Sequence, residues 1–120
     1  MPTFATTLPL SLLPGETVAL FNAESPATGV VSQAVALPPN VGGAPAVLSF
    51  TVNYTAAPTA TLTVLAGDVA SAAGLVATTQ VSTNKQNDRV ELTTGAAFAA
   101  IAMTSYTSGG PVTVTCHRGV

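Results

Sequence analysis

Apolar and polar residues alternate with a period of two along much of the chain, most clearly over 46–67. Leu48, Phe50, Val52 and Tyr54 occupy even positions, with Ser49, Thr51 and Asn53 between them. Beyond the break at 55–58, Leu62 and Val64 sit between Thr59, Thr61 and Thr63. Side chains on a strand alternate faces, so each half carries a core face and a Thr-rich outer face. The linker 55–58 is short, and its Pro58 has no N–H to give to a ladder. This pattern predicts two adjacent antiparallel strands.

The same reading extends along the chain. Residues 1–15 form an extended arm or edge strand: Pro9 confines a strand to an edge, and Pro14-Gly15 is a turn signal. Phe4, Leu8, Leu10, Leu12 and Leu13 give this segment apolar surface to bury, on its own sheet or on a neighbouring subunit. Strands are expected over 17–21 and 28–37, the second with Val31, Val35 and Leu37 on one face. The Pro/Gly-rich stretch 38–43 is a crossover. After the pair at 46–67, a loop at 67–74 carries an Ala run with room for one helical turn. Strands follow over 75–83, 89–93, 97–107 and 112–118. The strand at 97–107 is apolar at both parities, which predicts cover on both faces. Val112, Val114 and Cys116 point inward.

The fold class is therefore all-β: a single antiparallel β-sandwich of about eight strands. It is read as jelly-roll-like on strand count, with an immunoglobulin-like sandwich as the alternative. One domain over 16–120 follows the segment 1–15, and no internal repeat marks a solenoid.

Composition changes the picture in one respect. Of 120 residues 48% are hydrophobic but only 7% are charged, against a usual ~25%. So sparse a charge gives little repulsion between copies. Either a neutral Ser/Thr surface suffices for solubility, or much of the surface is covered in a permanent assembly. Lys85, Arg89 and Arg118 are the only bases, and the net charge is −2. That argues against nucleic-acid binding, which needs a basic patch. No apolar run approaches the ~20 residues of a membrane-spanning helix. The first 15 residues lack the basic start of a signal peptide, so synthesis in a cytoplasm is expected. A single cysteine excludes an internal disulfide.

Candidate chemistry is thin. Cys116 and the only histidine, His117, are neighbours on a strand and point to opposite faces. They form neither a shared metal site nor a nucleophile–base pair. The expected arrangement is a buried thiol beside a solvent-facing imidazole. Asp88 and Glu91 differ in parity and do not face each other as a catalytic pair does. No catalytic, cofactor-binding or metal-ligating set is expected, and the chain is read as not an enzyme. Lys85, Asp88, Arg89 and Glu91 make up half of the charged residues. They suit a solvated hairpin or an inter-subunit contact that fixes register. Asn53-Tyr54-Thr55 matches a glycosylation acceptor but has no secretory context. Thr59/Thr61/Thr63 and Thr113/Thr115 form Thr-x-Thr rows, an outcome of strand propensity or a flat array like those of some ice-binding proteins.

Three stretches carry a resemblance: Pro58-Thr59-Ala60-Thr61-Leu62-Thr63-Val64-Leu65-Ala66-Gly67-Asp68, the strand from Phe98 to Tyr106, and Ser108-Gly109-Gly110-Pro111-Val112-Thr113-Val114-Thr115. Over about the second half of its length the chain resembles small all-β virion structural proteins of tailed bacteriophages. It lacks the aromatic residue that often follows Gly-Asp there, and it has no Trp to stack on a sugar. The resemblance implies a non-enzymatic capsid decoration protein that stabilises the assembled lattice. It would be a homo-oligomer partnered by the major capsid protein or other virion proteins, located in the virion, with neither nucleic acid nor membrane as partner and no cofactor. The alternatives are a tail or head-fibre component and a host-surface-binding adhesin module. Possible assembly contacts are Phe4, Leu8, Leu10 and Leu12 on the arm, and Lys85, Asp88 and Arg89 on the polar hairpin.

Overall fold

The computed structural model describes residues 10–71 and 74–119. Nine strands occur among them: β1 (Leu10–Ser11), β2 (Thr17–Glu24), β3 (Val35–Ala36), β4 (Ala46–Tyr54), β5 (Thr59–Gly67), β6 (Val76–Thr83), β7 (Asn87–Thr94), β8 (Phe98–Ser108) and β9 (Val112–Arg118). They form an all-β sandwich of two sheets, ordered β1-β3-β8-β5-β6 and β2-β9-β4-β7. One short 3-10 turn, Val41–Gly43, interrupts the crossover between β3 and β4. Among the described residues no helix is long and apolar enough to cross a membrane.

The strand order is jelly-roll-like. The pairs β2–β9, β3–β8, β4–β7 and β5–β6 are all adjacent and antiparallel. The chain is thus one long hairpin, β2 to β5 outward and β6 to β9 back, folded over into two sheets. β1 is the exception, pairing in parallel with β3 at the sheet edge. The segment 1–15 is therefore an edge strand of its own sheet from Leu10 onward. Phe4 and Leu8 lie outside the described residues, as do Ala72 and Ala73 of the expected helical turn.

The strongest sequence pattern was right about faces and wrong about neighbours. β4 and β5 are not paired. β4 lies between β9 and β7, and β5 lies between β8 and β6 in the other sheet. The linker between them crosses from sheet to sheet. Its Thr55 N–H donates to Pro111 O, and its Ala56 N–H to Gly109 O, so it is tied to the β8–β9 turn. Four extended residues reach about 13 Å, enough for the ~10 Å between packed sheets. Leu48, Phe50 and Val52 therefore meet Leu62, Val64 and Ile101 across the core instead of beside them. All six are essentially sealed from solvent, and each such burial contributes about 1.5–3 kcal/mol.

The expected strand over 28–37 is a second correction. The segment does run beside β8 for its length: Gly29 N–H bonds Met103 O, Ser32 N–H bonds Ile101 O, and Leu37 N–H bonds Ala97 O. Regular pairing survives only at Val35–Ala36, with an isolated bridge from Val31 to Ala102. At Ser32 the side-chain Oγ, not a carbonyl, accepts Ile101 N–H. The faces change across this break in the ladder. Val35 and Leu37 enter the main core, whereas Val31 and Ala34 join a smaller cluster with Leu65, Leu75, Phe98 and Ala100. That cluster is the second cover that the apolar β8 strand called for.

Candidate functional site

The site is built at the end of β9. Its inward row continues by period two from Val112, Val114 and Cys116 to Arg118. Arg118 is 1% exposed, the largest fully buried side chain described. Nη1 donates to Leu12 O at 2.8 Å, and Nη2 donates to Pro38 O at 2.7 Å and to Asn40 Oδ1 at 2.9 Å. One guanidinium thus ties the start of the chain to the crossover and to the last strand. Nε–H, also buried, has no partner.

Two local devices hold this corner. Residues 13–16 form a turn in which Glu16 N–H bonds Leu13 O at 3.0 Å, with Gly15 at φ 85°. Pro14 then Gly15 is the pairing that a type II turn demands. Gly15 N–H bonds Arg118 O, and Arg118 N–H bonds Glu16 O, closing β2 onto β9. On the other side, Asn40 presents its oxygen to Arg118 and donates Nδ2–H to Ala44 O and Pro45 O. It therefore shapes the 38–45 crossover around the guanidinium.

Beside Arg118 lies a cleft of about 450 Å³. The crossover residues Pro38, Pro39, Asn40 and Pro45 form one wall, and residues 94–97 of the β7–β8 turn form another. Asp68 stands on the rim, where its Oδ1 accepts Ala97 N–H at 3.3 Å. Among the described residues the one ion pair joins Arg89 and Glu91, at 3.1 Å and exposed on both sides. The buried charge of Arg118 is thus met by neutral oxygens alone.

The residues singled out as assembly contacts do not converge. Leu10 is half exposed at the sheet edge, and Leu12 has its side chain in the core and its carbonyl in the Arg118 corner. Lys85 is exposed in the β6–β7 turn. Asp88 points toward the sandwich edge and accepts Ser82 Oγ–H at 2.8 Å. Arg89 lies on the outer face of the β2-β9-β4-β7 sheet, bonded to Ser49 and Glu91. Asp88 and Glu91 thus face opposite ways.

Cys116 is sealed in the core, and burial pushes its thiol up to about 12. His117 is exposed on the other face, its Nδ1 2.8 Å from Thr17 Oγ1. The two Thr-x-Thr rows belong to different sheets, and neither is a free array. Thr63 Oγ1 is 3.1 Å from Thr104 Oγ1, and Thr113 Oγ1 accepts Ala23 N–H. Among the described residues no group of three His, Cys, Asp or Glu is placed to hold a metal.

Arg118 itself was not among the residues the sequence marked out. The signal was present in the parity of β9, where an even position follows three inward ones. The inward row was read only as far as Cys116.

No family model matches the chain, and no curated protein matches it. Among solved structures it is similar to the SPBc2 prophage-derived protein YomS, with a TM-score of 0.56 and 14% identity. The alignment covers 86% of this chain and 92% of that one. At that identity the likeness is one of fold.

Proposed function

We propose that this chain is a non-enzymatic structural protein of a bacteriophage virion, a capsid decoration protein that binds the assembled lattice as a homo-oligomer. The observation that carries this reading is the sharing of a whole fold with a prophage-derived protein, over nearly the full length of both chains. Two features of the surface support it. Charge is sparse, and of the three basic residues one is buried and one is paired. Exposed apolar side chains also gather at one end of the sandwich. Leu13, Val41, Val47, Val69 and Val76 are each 47% exposed or more, and all lie at or beside the strand ends that border the cleft.

The mechanism is linkage. A protein that binds the assembled lattice and not its separated subunits stabilises the lattice by RT ln(1 + [L]/Kd), about 2.7 kcal/mol per site at a hundred times Kd. The partner is the major capsid protein, reached through the cleft end. Quantitative mass spectrometry of purified particles of the encoding phage tests this. A fixed copy number, in proportion to the capsid protein, is the expected result. Absence from the particles overturns it, and a handful of copies per particle moves the protein to the tail or a head fibre.

A further inference from the structure

We infer that the cleft beside Arg118 is a carboxylate-binding site, shaped for the Asp or Glu side chain of an extended partner segment. The inference stands apart from the virion reading, because it rests on the chemistry of the cleft alone. A guanidinium stays charged at any pH a protein meets and has five N–H donors. Neutral oxygens take three of them here, and Nε–H has no partner. Buried charges are ordinarily paired, because an apolar surrounding raises the cost of leaving them alone.

The dimensions and walls fit the assignment. About 450 Å³ lies within the ~300–1,000 Å³ typical of ligand clefts. The walls are built mostly from Pro, Ala and Gly, with Asn40, Asp68 and Thr94 as the polar side chains beside Arg118. Such walls lower the local dielectric and strengthen attraction to Arg118. Two of the three groups that hold the guanidinium, Pro38 and Asn40, are themselves wall residues. Rim Asp68 selects among anions. A carboxylate brings one negative charge to match Arg118, whereas a phosphate brings a second toward Asp68.

The test is an NMR titration of the full-length protein, following the Arg118 Nε–H and the amides of Gly43, Ala44 and residues 94–97. The probes are sodium acetate, the peptide acetyl-Ala-Glu-Pro-amide, its Gln counterpart, and sodium chloride at matched ionic strength. The expected result is a saturable shift with the Glu peptide, at least about tenfold tighter than with the Gln peptide. Acetate binding as tightly as the Glu peptide keeps the carboxylate site and overturns the partner segment. Equal shifts with chloride or the Gln peptide, or no saturation, overturn the site. Ala44→Phe, at an exposed wall position, fills the cleft and leaves Arg118 and its three acceptors in the sequence unchanged. It should weaken the Glu peptide by about tenfold or more at unchanged thermal stability, and full retention of binding overturns the location. Asp68→Asn keeps the acceptor for Ala97 N–H and should tighten binding about threefold by removing a like charge.

Discussion

The two ends of the sandwich solve the same problem differently. At one end the chain turns tightly and satisfies itself. Residues 55–58 are bonded to the β8–β9 turn, Gly110 N–H is capped by the Tyr106 hydroxyl, and Asn84 Oδ1 accepts Ala60 N–H. At the other end a long Pro-rich crossover wraps a guanidinium held by neutral oxygens alone, a cleft stays open, and apolar side chains stand in solvent. A hairpin folded over into two sheets needs turns at both ends, yet only one end is finished by its own groups. Under the proposed function, the unfinished end is where this molecule has free energy left to gain from a partner.

The shared core between the ends sets the scale. Phe50 is fully sealed, and Phe50→Ala should cost about 3–5 kcal/mol in urea unfolding. A loss near 1 kcal/mol would mean that the two sheets are not held by this row.

Next comes pH. Burial raises the Cys116 thiol from 9.0 to about 12, and burial followed by the nearby Tyr106 raises the Tyr54 phenol from 10.0 to about 12. In each case the unfolded chain gives up its proton first. Stability is then complete below pH 9 and falls as pH rises from there toward 12. Between pH 8 and 10.5 the loss is about 2 kcal/mol from Cys116 and under about 1 kcal/mol from Tyr54. Cys116→Ala should remove the larger part of this dependence in unfolding curves at the two pH values.

The closed end is probed by Gly109→Ala. Gly109 has φ 141°, and an added Cβ would stand 2.8 Å from the Pro58 side chain. The expected loss is about 2 kcal/mol, from strain in the turn that anchors the sheet-to-sheet linker. The open end is expected to respond in the opposite way. Val41→Ser with Leu13→Ser, both at exposed positions, should change stability by less than about 0.5 kcal/mol. Under the proposed function the same pair of changes weakens attachment to particles by about tenfold or more, since apolar anchors dominate such contacts.

Period-two alternation made most strands and their faces legible, because one-sided burial leaves that imprint on any strand. It held for β4, β7 and β9, and for β5 except at Thr63, whose outer-facing side chain is buried. Neighbour relations were not legible. A four-residue linker ending in Pro58 serves a hairpin or a sheet-to-sheet arch equally well, and only the bonds to Gly109 and Pro111 decide between them. Ser32 broke the parity of 28–37, because a side-chain oxygen stood in for a ladder carbonyl. The cleft escaped for a related reason. Arg118 follows the β9 pattern inward, but its acceptors come from Leu12, Pro38 and Asn40, remote positions that no local pattern links.

Under the proposed function, the contrast between the ends is tested most directly by co-sedimentation of the purified protein with phage particles that lack it, and with their separated capsid subunits. The account predicts saturable binding to particles at a fixed stoichiometry, loss of that binding in the Val41→Ser/Leu13→Ser variant, and no binding to separated subunits. Binding that is equal for lattice and subunits, or unchanged by altering the open end, would contradict it.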